Sequence, residues 1–173
     1  GQGFAAWLTN HKNKPKNKLT VGIGIDSRVT GPKLKKNLIK GITNLGIDVY
    51  NCSLASTPAM FMSTVLPEHK YDGAVMITAS HLPYNKNGFK FFTAQGGLEE
   101  KDITEILSTA QNNFSSPSTK GKVKQVNLID DYSQYIINKI RQGVSPQVNQ
   151  SQPLAGFNII VDAGNGAGGF FAD

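Results

Sequence analysis

The amino-acid sequence predicts an α/β fold: a three-layer α/β/α domain with a mainly parallel sheet and one antiparallel edge strand. Three apolar or β-branched segments alternate with segments that have helical spacing, and the links between them are short. Such alternation is typical of a parallel sheet packed between helices. The dipeptide Asn87-Gly88 is a strong turn signal, and the segment after it predicts a strand that returns along the edge.

The first half of the chain predicts three helices and three strands. Residues 3–11 repeat apolar side chains at helical spacing, and residues 33–46 form an amphipathic helix that ends at Gly46. Thr57-Pro58 is the expected N-cap and first turn of a helix through residue 69. Three strands are predicted: residues 18–26, which alternate and are β-branched, residues 47–54, and residues 72–79, which are nearly continuously apolar.

The second half predicts a short strand, two helices and a domain boundary. The strand is residues 89–92, and the helices are residues 98–114, with acids in the first turn, and 127–143. The segment that follows is rich in Gln, Ser, Asn and Pro and lacks apolar rhythm, which is typical of a linker. The expected parts are a first domain (1–142), a linker (143–155), and the first strand and glycine-rich loop of a truncated second domain (156–173).

The net charge of +6 raises the question of nucleic-acid binding. Arginine, the preferred residue for base and bidentate phosphate contacts, occurs only as Arg28 and Arg141. No aromatic residues are interleaved with the basic run at residues 11–18 to stack on bases. We therefore expect attraction to anionic small molecules and no nucleic-acid partner.

Composition also bears on compartment and membrane association. No apolar run approaches the roughly 20 residues needed to cross a bilayer, so no membrane partner is expected. The single cysteine, Cys52, ends an apolar run and is expected to be a small core residue in a reducing compartment. A cytoplasmic protein is expected. Organellar targeting stays open, because the sequence opens on Gly1 and the N-terminus is expected to be truncated.

The segment MITASHLPYNKNGFKFF (residues 76–92) places Ser80 and His81 just after an apolar strand. A hydrolase elbow would need glycines at the positions of Thr78 and Leu82, and His81 is too close in sequence to Ser80 to deprotonate it. A phosphate carrier needs an exposed serine, amide donors and a fixed cation, which Lys90 on the returning strand could supply. A simple turn is the structural alternative.

These segments resemble the α-D-phosphohexomutases, a family that includes phosphoglucomutases and phosphomannomutases. TASHLP (78–83) is similar to the family's TASHNP loop, although Leu82 replaces an asparagine and removes an amide donor. The other matching stretches follow in the expected order, and they are GIGIDSRVTGP (22–32), STP (56–58), NGFK (87–90) and VDAGNGAGG (161–169).

The resemblance implies that Ser80 is a catalytic phosphoserine. It implies an enzyme that interconverts hexose 1-phosphate and hexose 6-phosphate, of glucose or mannose, through a hexose 1,6-bisphosphate. It also implies a Mg²⁺ ion bound by the phosphoserine and by aspartates of domain II. Ser80 is thereby an expected metal ligand. Lys90 would lie close to the transferring phosphoryl group, and His81 would assist near the sugar hydroxyls. The implied partners are the hexose phosphate and domains II–IV of the same chain, without which this fragment is expected to be inactive.

Three questions stay open at this point. A noncatalytic phosphosugar-binding or regulatory relative would share the same motifs. Arg28 could contact a phosphate or form an ion pair with Asp26. The spacing of Gly164, Gly166 and Gly169 matches a dinucleotide-binding loop, whereas the resemblance assigns these glycines to strand-to-helix packing.

Overall fold

The chain forms two compact units, residues 1–128 and 129–173, and the first contains every strand that the structure describes. The computed structural model describes residues 1–115, 119–144, 147, 149–164, 166 and 168. The elements in chain order are α1 (Gln2–His11), a 3₁₀ turn (Lys16–Lys18), β1 (Thr20–Ile25), α2 (Gly31–Thr43), β2 (Asp48–Leu54), α3 (Thr57–Met62), β3 (Gly73–Ile77), β4 (Phe89–Thr93), β5 (Gly96–Gly97), α4 (Glu100–Thr109), β6 (Val123–Gln125) and α5 (Leu128–Gly143).

The six strands form one sheet in the order β5-β4-β3-β1-β2-β6. β1 lies between β2 and β3 and is parallel to both, and β6 is parallel to β2. β4 is antiparallel to β3, and β5 is antiparallel to β4. The predicted fold class is therefore confirmed. The sequence analysis missed β5 and β6, because two and three residues are too few to show an alternating pattern.

Alternate residues of the central strands face opposite layers of helices. One face packs against α1, α2 and α4 around a fully buried aromatic residue, Phe4. The strand residues on this face belong to the same core cluster, and they are Val21, Ile23, Val49, Val75 and Ile77. The other face packs against α3 and the segment after it. The two layers bury the sheet on both sides, which explains why the sequence of β3 is apolar throughout.

Two glycines in β1 let the α3 layer approach the sheet closely. A Cβ added at Gly22 would lie 2.6 Å from the Tyr71 ring, and one added at Gly24 would lie 2.6 Å from Met60 Sδ. Both distances are too short for non-bonded carbon contacts. The repeated glycines of GIGI in β1 are thus explained by helix–sheet packing.

Helix α3 differs from its sequence-based prediction at both ends. Its N-cap is Ser56, whose hydroxyl accepts a hydrogen bond from the N–H of Ala59 at 3.3 Å; Thr57 is already helical. The helix ends at Met62 instead of continuing to residue 69. The hydroxyls of Ser63 and Thr64 each donate to a backbone carbonyl three residues earlier, at 2.7 Å. Such local bonds compete with helix propagation and explain the early end.

The strand predicted at the start of the second domain is not formed in the structure. Residues 157–163 have no strand partner among the described residues, and the large apolar side chains Phe157, Ile159 and Ile160 are exposed. Apolar alternation reports a preference for extended backbone, whereas a strand also needs a neighbour for its hydrogen bonds. The glycine-rich loop after it lies partly outside the described residues, Gly169 included. The division into two domains and a linker stays a prediction.

No helix in the described part of the chain is long and apolar enough to cross a membrane.

Cys52 lies in the core, and we expect its thiol to be unreactive in the folded protein. The side chain is 2% exposed, and burial raises the pKa of the thiol to about 12. Reagents attack the thiolate, which is scarce several pH units below the pKa. At pH 8, iodoacetamide should label Cys52 in the chain unfolded by guanidinium and leave the native chain unlabelled over the same time. Equal labelling of the two samples would show that the thiol is accessible.

Candidate active site at the carboxyl end of the sheet

Ser80 lies three residues beyond the end of β3, at the carboxyl edge of the sheet. The β3–β4 pairing extends past Ile77, because the N–H of Thr78 donates to the carbonyl of Gly88 at 3.0 Å. Thr78 is buried, whereas Ser80 is exposed. Functional sites of open α/β sheets collect at this edge, where the strands end. The structure therefore places Ser80 where the sequence analysis expected a functional serine.

The backbone of Ser80 has a left-handed conformation, with φ of 54°. For a residue other than glycine this conformation costs about 1–2 kcal/mol. Both peptide groups of Ser80 are bound by side chains: the N–H donates to Thr78 Oγ1 at 2.9 Å, and Arg28 Nη2 donates to the carbonyl. Within the described residues the Ser80 hydroxyl has no hydrogen bond, so it remains available to solvent.

Arg28 connects the end of β1 to the serine loop, which we define as residues 78–88. Its Nε donates to Asp26 Oδ2 at 3.0 Å, so the ion pair that the sequence left open is formed. Its Nη1 donates to the carbonyls of Pro83 at 2.7 Å and Lys86 at 3.2 Å. Counting the carbonyl of Ser80, the guanidinium has four acceptors, and only 10% of the side chain is exposed.

The carboxylate of Asp26 joins this arginine to the threonine that holds Ser80. Asp26 Oδ2 accepts from Thr78 Oγ1 at 2.7 Å as well as from Arg28. Oδ1 accepts from the backbone N–H of Arg28 at 3.1 Å, and the N–H of Asp26 donates to the carbonyl of Ile77 at 3.2 Å. We call Asp26, Arg28 and Thr78 the Asp26 network.

The sequence analysis missed the contribution of Thr78 and the contacts from Arg28 to the loop. The signal that could have found them is a pair of polar clusters, Asp26 with Arg28 and Thr78 with Ser80, after two strands that are neighbours in a parallel sheet. The carboxyl ends of such strands meet at one edge.

The amide side chain of Asn87 links the serine loop to the residue before α2. Its Nδ2 donates to Thr30 Oγ1 at 3.1 Å, and its Oδ1 accepts from the N–H of Gly88 at 2.9 Å. Leu82, which replaces the asparagine of the TASHNP loop, is 51% exposed. Tyr84 is 75% exposed.

His81 and Lys90, the other two predicted catalytic residues, are both exposed. Lys90 lies in β4 directly opposite Met76, four residues before Ser80. Cross-strand partners project from the same face, so Lys90 is on the α3 side of the sheet. Within the described residues neither side chain forms a hydrogen bond or ion pair with Ser80. The approach of Lys90 and His81 to the serine stays a prediction.

The described residues contain no group of three or more His, Cys, Asp or Glu side chains that could hold a metal ion. The carboxylate of the Asp26 network is already bound by Arg28 and Thr78. Ser80 is exposed and its hydroxyl has no hydrogen bond in the described structure, so a phosphate on it could offer an oxygen to a metal ion, as the predicted ligand role requires.

Comparison with known proteins identifies related sequences and structures. Residues 1–116 match the family described as phosphoglucomutase/phosphomannomutase, alpha/beta/alpha domain I. A phosphoglucosamine mutase of Caldicellulosiruptor saccharolyticus is 33% identical over 174 aligned positions, 96% of this chain and 35% of that protein. A phosphoglucomutase of Neisseria meningitidis serogroup B is 33% identical over 154 positions, 88% of this chain and 30% of that protein.

A solved structure has the same fold. A phosphoglucomutase/phosphomannomutase family protein of Burkholderia thailandensis aligns with a TM-score of 0.68 at 22% identity, over 80% of this chain and 30% of that one. The chain thus spans about a third of the length of the relatives that it matches.

Proposed function

Since the chain belongs to the phosphoglucomutase/phosphomannomutase family and carries its domain I, we propose that it is the phosphoserine domain of a hexose phosphate mutase. The enzyme class is an intramolecular phosphotransferase, and Ser80 is the phosphate carrier. The observation that carries this proposal is an exposed serine hydroxyl with no internal hydrogen bond, on a backbone held from both sides at the carboxyl edge of the sheet. The relatives named above are mutases, which supports the same class.

The transfer would proceed in two steps. In the first, the bond between Ser80 Oγ and phosphorus breaks as a free sugar hydroxyl bonds to phosphorus, and the proton that this hydroxyl loses passes to Ser80 Oγ. The sugar then carries two phosphoryl groups. In the second, its other phosphoryl group moves to Ser80 Oγ, and the proton of the Ser80 hydroxyl passes to the sugar oxygen from which that group departs. The phosphoserine is regenerated, and the hexose phosphate is released as its isomer.

The exposed side chains around Ser80 have candidate roles in these steps. Lys90 would offer a compact cation to the transferring phosphoryl group, a task that suits an ammonium ion. The imidazole of His81 would accept and return the proton of the sugar hydroxyl. The phosphate on Ser80, together with aspartates of domain II, would hold Mg²⁺, which when bound supplies positive charge that neutralises the phosphate.

The remaining parts of the proposal concern the substrate and the rest of the protein. We propose glucose or mannose phosphates as substrates in the cytoplasm. The other catalytic elements would be supplied by domains II–IV of the same protein. The replacement of asparagine by Leu82 favours one alternative, a noncatalytic phosphosugar-binding or regulatory relative with the same fold.

The proposal is tested on the full-length protein, incubated with Mg²⁺ and glucose 1,6-bisphosphate. Mass spectrometry of its peptides should find phosphate on Ser80. The protein should convert glucose 1-phosphate into glucose 6-phosphate and lose this activity in EDTA; mannose 1-phosphate and glucosamine 1-phosphate are assayed in parallel. If Ser80 stays bare and hexose phosphates bind without conversion, the noncatalytic alternative is correct. Binding to DNA that weakens steeply with salt would instead indicate a nucleic-acid partner.

A further inference from the structure

Two side chains bind the backbone of Ser80, and one of them is distant in sequence. The loop around Ser80 contains two short turns, closed by Leu82 N–H to the carbonyl of Ala79 at 3.0 Å and Lys86 N–H to the carbonyl of Pro83 at 2.9 Å. Neither turn binds the peptide groups of Ser80. Those groups are bound by Thr78 and by Arg28, which is 52 residues away in sequence.

The guanidinium of Arg28 binds carbonyls spread along the whole loop. The residues that supply them are Ser80, Pro83 and Lys86, so a single planar group fixes three points of the loop. Asp26 binds the guanidinium through Nε and so helps to set its orientation. The same carboxylate orients the Thr78 hydroxyl that receives the Ser80 N–H.

We propose that Arg28, held by Asp26, is a positioning residue that fixes Ser80 in its left-handed conformation and so aims its oxygen at the reacting phosphoryl group. This inference rests on the proposed function. Three of the four acceptors of Arg28 are loop carbonyls and the fourth is a carboxylate, so Arg28 acts through the loop instead of gripping the phosphate. Of the two alternatives that the sequence left open for Arg28, the ion pair with Asp26 is the one that is formed, and it orients the guanidinium for this role.

This role demands the shape of arginine as well as its charge. A lysine at position 28 would keep the positive charge. Its ammonium group has three N–H donors on one nitrogen, so it cannot bind the Asp26 carboxylate and all three carbonyls at once. A displacement of the reacting atom by about 1 Å can cost on the order of 100-fold in rate. We therefore expect Arg28→Lys to lower kcat by about 10- to 100-fold and to change KM less than about threefold.

The test compares variants of the full-length protein by activity and by hydrogen exchange of peptides that cover residues 79–88. Arg28→Lys should lower kcat and speed exchange in the loop. Thr78→Val, which loses the hydroxyl, should do the same, and Thr78→Ser, which restores it, should recover at least half of the wild-type kcat. Arg141→Lys is the matched control, because among the described residues Arg141 donates to a single carbonyl, that of Ser151 at 3.2 Å, in the other unit. It should leave both measurements unchanged.

The outcomes separate this inference from the proposed function. If Arg28→Lys keeps wild-type kcat and wild-type loop exchange, the positioning role is wrong. It is also wrong if KM rises with kcat unchanged, because the side chain would then bind substrate. If the wild-type protein takes no phosphate on Ser80, the proposed function fails, and the exchange data alone decide whether Arg28 holds the loop. Far-UV circular dichroism verifies that each variant is folded.

Discussion

Replacing Ser80 by alanine is expected to abolish phosphate incorporation and to lower kcat/KM for glucose 1-phosphate by at least about 10⁴-fold, because the carrier oxygen is lost. Alanine keeps the Cβ and both peptide groups, so the contacts of Ser80 with Thr78 and Arg28 can persist. The measurement is steady-state conversion of glucose 1-phosphate with glucose 1,6-bisphosphate present, together with the phosphate content of the isolated protein.

A matched serine controls for the loss of a surface hydroxyl. Ser108 is exposed on α4, and Ser108→Ala should retain wild-type turnover and phosphate content. The stability of the Ser80→Ala variant should also match the wild type, since the lost hydroxyl makes no internal hydrogen bond in the described structure. If Ser80→Ala still accepts phosphate from the bisphosphate, the carrier lies elsewhere, and the proposed mechanism is incorrect.

The fold could be predicted because the central strands and helices have recognisable local sequence patterns. β1 and β3 consist of apolar, β-branched and glycine residues, and α2 places Leu38 and Ile42 on one buried side. These patterns follow from the periods of strands and helices and need no knowledge of neighbours. The return of β4 could be predicted as well, but not the place of the turns: they lie at residues 80–81 and 84–85, and Asn87-Gly88 forms none.

The elements that escaped prediction depend on distant partners. β6 is three exposed residues that form a strand only because β2 offers its free edge. The network of Asp26, Arg28 and Thr78 joins two loops that are about 50 residues apart, and nothing in either loop specifies which carbonyls the arginine reaches. The candidate serine could thus be located from the sequence, whereas the side chains that orient it could not.

Contacts between residues that are distant in sequence also determine stability. Phe4→Ala is expected to destabilise the chain by about 3–5 kcal/mol. Phe4 has no exposed surface, and the centroid of its ring lies 4.7 Å from that of Phe91. It also fills the space that Gly73 leaves in β3, where an added Cβ would come within 2.8 Å of Phe4 Cζ. Truncation would leave a cavity between α1 and the centre of the sheet.

Urea denaturation, followed by Trp7 fluorescence and far-UV circular dichroism, would measure this loss in the free energy of unfolding. Phe89→Ala is the matched control: the side chain is 40% exposed at the start of β4, so its removal should cost less than about 1.5 kcal/mol. Equal losses in the two variants would mean that α1 does not cover the sheet as described. A large loss confined to Phe4→Ala would establish α1 as an integral layer of the domain. The first turn of α1 would then stabilise β3 and β4, which are distant from it in sequence.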